Sequence, residues 1–166
     1  MSDQIKPVKE YPLSVAISAL IKDGHILLIK RLRGDYVGML GLPGGKIEKH
    51  EHLSAAASRE ILEESGIESE FKNHLGLVSE HLLENGQILQ HFLLHICHLE
   101  PKTTEILNDA EGKLGWFNLE LLPQLREQII PSDYQIIEKI VKNRGQVYFN
   151  CIVNKTGDQY QLVKFE

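Results

Sequence analysis

The 166-residue chain is 42% hydrophobic and 25% charged, the balance of one globular domain with a sizeable core rather than of a disordered chain. Its formal net charge of −5 and pI near 5.9 argue against a duplex-binding surface, which needs clustered Lys and Arg, but leave room for a small phosphorylated ligand. No apolar run approaches the roughly 18–20 residues of a membrane span, and residues 1–11 lack the apolar core of a signal peptide. Cys97 and Cys151 have no metal-ligand spacing, so a reducing cytoplasm is the expected setting.

Residues 13–21 and 25–32 are apolar, β-rich runs on either side of Asp23-Gly24, a strong hairpin signal. In the first run Leu13, Val15, Ile17, Ala19 and Ile21 alternate with smaller or polar residues, which predicts one core face. Residues 26–29 are apolar on both faces, as in a central strand. A loop over 31–40 then leads to Leu42-Pro43-Gly44-Gly45.

The segment 45–67 reads GKIEKHEHLSAAASREILEESGI. Residues 53–65 are rich in Ala, Leu and Glu, lack Gly and Pro, and stop at Gly66, which predicts a helix with a left-handed end. At about 100° per residue Glu60, Glu63 and Glu64 share one face, with Ala56 and Ala57 in or near it one turn earlier. Acids that repel one another and oppose the dipole in a last turn cost stability, whereas a hard divalent cation would make them a binding site.

This segment fills every fixed position of G-x5-E-x7-R-E-U-x-E-E-x-G-U, where U is a bulky apolar residue, and so resembles the Nudix box of the Nudix hydrolases, MutT-like enzymes. The resemblance implies an α/β fold, an α/β/α sandwich around a central mixed sheet with its core over about 13–143. It also implies a single domain over 1–166, with 146–165 added as a C-terminal β-hairpin. The implied reaction is Mg2+-dependent attack of water on a diphosphate linkage of a nucleoside diphosphate joined to a group X, with Mn2+ as a substitute ion. Glu60, Glu63, Glu64 and the Gly44 carbonyl are the implied metal ligands. Arg59 is expected to hold the carboxylates in register, and Glu51 to join that network or ligate metal indirectly, with Gly45 and Gly66 as structural glycines of the box. Arg31 and Arg33 are the nearest candidates for countering substrate phosphate, with Tyr36 and Met39 close by.

Downstream, 69–78, 79–83 and 88–99 read as strands, the last two around Asn85-Gly86, with 88–99 central in the sheet. His91 and His95 would lie about 13 Å apart on one strand, too far for one zinc ion, so they and His98 are expected to be structural or substrate-facing. A polar connection over 100–115 leads to Trp116-Phe117 and a short helix at 120–125. Many family members place a metal-binding or catalytic acid a few residues before such a pair. Glu111 matches best, with Asp109 and Glu105 as competitors, so either Glu60 or Glu111 would serve as the base. Ser132 with Gln135 fits the capping-box pattern for a helix over 134–143, and Asp133 resembles the acid that reads a purine edge in some members.

Neither the proline of many ADP-ribose hydrolases nor the tyrosine of many diadenosine polyphosphate hydrolases stands downstream of Gly66, where Leu82 and Leu83 lie. A (d)NTP or oxidised purine nucleotide is therefore the expected substrate, with ADP-ribose or a nucleotide sugar as the alternative. A non-catalytic nucleotide-binding module or an isoprenoid isomerase is disfavoured by the intact acids. The expected partner is a small nucleotide, with no membrane and no duplex, and the expected state is a monomer or homodimer.

Overall fold

The computed structural model describes residues 10–108 and 111–166, so Asp109 lies outside the described residues. The strands are β1 (Leu13–Lys22), β2 (His25–Arg31), β3 (Leu40–Gly41), β4 (Gly44–Lys46), β5 (Ser69–Glu84), β6 (Gln87–Pro101), β7 (Gly112–Asn118), β8 (Tyr148–Thr156) and β9 (Gln159–Phe165). Helix α1 (Leu53–Ser65) lies between β4 and β5. A 3-10 segment (Leu119–Gln128), α2 (Pro131–Ile136) and a π-helical turn (Ile137–Val141) lie between β7 and β8. Among the described residues no helix is long and apolar enough to cross a membrane.

The β1–β2 turn forms as the sequence predicts, with Asp23 and Gly24 both left-handed at φ 48° and 74°. Direct pairing of the two strands is short, from Ile21 with Ile26 to Lys22 with His25. They then diverge: β1 runs between β4 and the parallel β6, while β2 pairs with β3 and β7. The strand order is β3-β2-β1-β6-β5-β8-β9, a mixed sheet with β6 at its centre as expected.

The single core face predicted for β1 is corrected, because residues 15–20 are all buried. Ala16 and Leu20 pack with Ala56, Ala57 and Ile61 of α1. Val15, Ile17 and Ala19 pack on the opposite face with Ile136, Ile137 and Ile140. Ala16 of that face is small where Ala56 and Ala57 of α1 pack with it.

The strands predicted at 69–78 and 79–83 are one continuous β5, carried across register shifts between Phe71 and Asn73 and between His74 and Gly76. It turns into β6 at Asn85 (φ 52°) and Gly86 (φ 75°). On this pair His91 Nε2 lies 2.9 Å from Ser79 Oγ, and His95 Nδ1 lies 3.3 Å from His74 Nε2. Gly112–Gly115, predicted as connection, belongs to β7.

The Ser132 capping box does not form. The helix begins at Pro131, whose missing N–H costs nothing at a first turn, and Ser132 is buried inside it. The C-terminal hairpin forms as predicted and extends the sheet, β8 pairing in parallel with β5.

Helix α1 ends as predicted at Gly66, with φ 74° and its N–H donating to the Leu62 carbonyl. A Cβ there would also lie 2.7 Å from Leu107 Cβ. Gly66→Ala is expected to destabilise the fold by about 1–2 kcal/mol, lowering Tm by roughly 2–8 °C in a thermal melt. An unchanged Tm would contradict a fixed left-handed cap.

Candidate active site

Strand β4 brings the Gly44-Gly45 turn against β1, with Gly44 opposite Ile17 and Gly45 opposite Ala16. A Cβ on Gly44 would lie 2.1 Å from the Ala16 carbonyl oxygen, and one on Gly45 would lie 2.3 Å from Glu60 Cδ. Both positions need glycine for close approach, Gly44 to backbone and Gly45 to a carboxylate of α1.

Arg59 organises the acids. Its Nε and Nη2 donate to Glu51 at 2.9 and 2.6 Å, its Nη1 donates to Glu60 at 2.7 Å and Glu63 at 3.0 Å, and Nη2 also reaches the Lys46 carbonyl at 3.2 Å. This two-pronged grip on Glu51 suits guanidinium geometry. Hydrogen bonding from Arg59 lowers the Glu51 carboxyl to about 2.

The three acids of the helix face differ in surroundings. The Glu63 side chain is 58% exposed and the Glu60 side chain 14%, whereas Glu64 as a residue is only 6% exposed. Burial, with Glu60 and Glu111 nearby, raises Glu64 to about 8, against a hydrogen bond from the Gly44 backbone that lowers it. Burial also raises Glu60, opposed by Arg59. Among the described residues no three His, Cys, Asp or Glu side chains converge as a ready metal cluster. Arg59 Nη1 stands between Glu60 and Glu63, donating to both.

Beside Gly44 and Gly45 opens a cleft of about 260 Å³. Its apolar wall includes Ile17, Phe92 and Ile130, and its polar residues include Arg31, Tyr36, Glu80, Ser132 and Asp133. Asp133 is buried, and its Oδ2 accepts from the Leu42 N–H at 2.8 Å. Burial raises its carboxyl to about 7, with Glu80 adding to the effect. Glu80, also buried, accepts from Tyr36 Oη at 3.2 Å and from Ser132, with Cys151 Sγ at 3.9 Å. A larger cavity, about 430 Å³ between α2 and β9, contains none of the clustered acids, so its size does not make it the reaction site.

A sequence model of the NUDIX domain matches residues 11–140. The chain is a Nudix hydrolase. An ADP-ribose pyrophosphatase of Methanocaldococcus jannaschii is 35% identical over 139 residues, covering 78% of this chain and 79% of that protein. An oxidized purine nucleoside triphosphate hydrolase of Danio rerio is 26% identical, covering 63% of this chain and 65% of that one. The crystal structure of a MutT NUDIX hydrolase from Burkholderia pseudomallei superposes with a TM-score of 0.66 at 32% identity, covering 78% of this chain and 98% of its own. As a Nudix pyrophosphohydrolase the protein acts on acid anhydrides of nucleoside diphosphate-linked moieties, small nucleotide substrates. Nudix hydrolases generally use divalent cations. The all-oxygen donors here fit such an ion, and Glu64 Oε2 is a buried carboxylate oxygen without a hydrogen-bond partner.

The Nudix box residues Gly44, Gly45, Glu51, Arg59, Glu60, Glu63 and Glu64 thus come together at β4 and α1, and Glu111 lies near enough to raise both Glu60 and Glu64. Arg31 and Asp133 line the adjoining cleft. Arg33 is exposed on its loop and is not among the cleft residues, and Glu105 is exposed. Sequence reasoning missed Glu80. A lone acid among β5 side chains resembles any solvated strand residue, although its place between Val78 and Leu82 on one face gives period-2 notice of burial.

Proposed function

We propose that this enzyme is a Mg2+-dependent pyrophosphohydrolase of a (d)NTP or an oxidised purine nucleotide. The observation that carries the reading is the buried, unpartnered Glu64 oxygen beside Glu60 and the Gly44-Gly45 turn, next to a cleft large enough for one base. Glu60, Glu63, Glu64 and the Gly44 carbonyl would hold the ion, with Mn2+ as a substitute. When bound, it neutralises phosphate oxygens and eases deprotonation of the attacking water.

The chain's own groups do the rest. Arg59 orients Glu60 through its 2.7 Å hydrogen bond, and either Glu60 or Glu111 accepts the water proton. Arg31 reaches the cleft from the end of β2 and pairs with substrate phosphate. Asp133, poised near neutrality, contacts the base edge as donor or acceptor. We place all of this in one domain over 1–166, the hairpin included, because β8 continues the same sheet.

The Methanocaldococcus jannaschii relative favours a second reading, hydrolysis of ADP-ribose or a nucleotide sugar. A panel of (d)NTPs, oxidised purine nucleotides, ADP-ribose, nucleotide sugars and dinucleotides, assayed with Mg2+ and with chelator, decides between them. The highest kcat/KM is expected for a (d)NTP or an oxidised purine nucleotide, lost on chelation. Preference for ADP-ribose would install the second reading, and chelator-resistant turnover would overturn both. Asp133→Asn is expected to change the purine-to-pyrimidine ratio of kcat/KM by roughly 10-fold or more, since a buried polar contact of that kind is worth about 1–3 kcal/mol. An unchanged ratio removes Asp133 from base recognition.

A further inference from the structure

The hairpin β8–β9 lies beyond the residues matched by the family model, yet it grips the loop that follows Arg31, the last residue of β2. That loop is largely exposed at Leu32, Arg33, Gly34, Val37 and Gly38, and it passes through left-handed backbone at Gly34 (φ 78°), Tyr36 (φ 62°) and Gly38 (φ 84°). Tyr36 has no glycine's freedom there, so outside contacts must hold it. Its backbone N–H donates to Tyr160 Oη at 3.0 Å, and its ring lies against the Tyr160 ring with centroids 4.2 Å apart. One residue earlier, Asp35 Oδ1 accepts from Lys155 Nζ at 3.1 Å. The Asp35 carbonyl in turn accepts from Arg31 Nε at 2.8 Å, while Arg31 lines the cleft with Gly44 and Asp133. A continuous set of contacts therefore runs from β8 and β9 through Asp35 and Tyr36 to the guanidinium.

We propose that the C-terminal hairpin is a clamp that fixes Arg31 for diphosphate, with Tyr160 and Lys155 as positioning residues. The inference rests on the reading of Arg31 as a phosphate-binding group. With a flexible loop the Arg31 guanidinium would have to be ordered whenever substrate binds, whereas a clamped loop, through the Asp35 carbonyl, presents it already ordered. The gain therefore belongs to binding and leaves the chemical step alone.

The test is the calorimetric Kd of imidodiphosphate with Mg2+, measured on the full chain for wild type, Tyr160→Phe, Lys155→Met, Arg31→Ala and the double variant Tyr160→Phe/Arg31→Ala. Tyr160→Phe and Lys155→Met should each weaken binding about three- to tenfold, the cost of ordering one side chain. Their kcat on the fastest-cleaved nucleotide of the panel should stay within about twofold of wild type. In the Arg31→Ala background Tyr160→Phe should add nothing, a coupling that general loss of stability would not produce. Wild-type binding by both hairpin variants, or an equal loss in the Arg31→Ala background, overturns the clamp while leaving Arg31 in place. Wild-type binding by Arg31→Ala overturns the phosphate reading and the clamp together.

Discussion

Glu64→Gln is expected to lower kcat by roughly 10³-fold or more, because several kcal/mol of transition-state stabilisation depend on a held cation and each 1.36 kcal/mol is tenfold. The protein should remain folded. Glu64 is buried against Glu60 and Glu111, and its Oε2 has no hydrogen-bond partner, so its charge opposes folding when no cation is present. Its folded-state carboxyl stands near 8 against an ordinary value of 4.5. Between those pH values the native state keeps a proton that the unfolded chain has released, so the group's contribution to stability declines as pH rises through the window. Glutamine has no such slope. In chelator, the Tm of Glu64→Gln minus that of wild type should be positive and should grow between pH 5 and 8. Turnover within tenfold of wild type would remove Glu64 from the machinery, and a Tm difference flat with pH would contradict its buried carboxyl with a raised pKa.

Gly45→Ala should be nearly as damaging to activity for a different reason. Its Cβ would fall 2.3–2.4 Å from the Glu60 carboxylate atoms, well inside van der Waals contact, so the flexible Glu60 side chain has to move. Such a shift also pulls on Arg59, which holds Glu60 at 2.7 Å and Glu51 at 2.6 Å through the same guanidinium. A misplacement of about 1 Å costs on the order of 10²-fold in rate, and that loss in kcat is expected with only a modest fall in Tm. Gly44→Ala provides the contrast. Its Cβ meets the β1 backbone at Ala16 O, where nothing flexible can yield, so instability should dominate. If Gly45→Ala retains full kcat, the close fit between β4 and Glu60 is not a catalytic requirement.

Local signals were legible wherever the cause was local. The left-handed Asp23-Gly24 and Asn85-Gly86 turns, the span of α1 and its stop at Gly66 follow from backbone preferences of the residues themselves. Errors arose where a neighbour distant in sequence decided the outcome. Ser132 has the composition of a cap, but Pro131 starts the helix and the hydroxyl turns inward to Glu80. Ala16 and Ser18 look like the minor face of a half-buried strand, yet both are buried, Ala16 beneath α1.

The sequence alone determined the family and the helix that carries Glu60, Glu63 and Glu64, because the box repeats a pattern whose spacing is dictated by one helix and the turn before it. Tertiary structure alone decided which acid is buried and which exposed, since Glu63 and Glu64 are adjacent in sequence but only Glu64 faces β4 and the sheet. It alone joined Arg31 to Asp133 across the cleft, and Tyr36 to Tyr160 across 124 residues of chain. Desolvation and long-range contact depend on what the folded chain places nearby, and no local spacing encodes that.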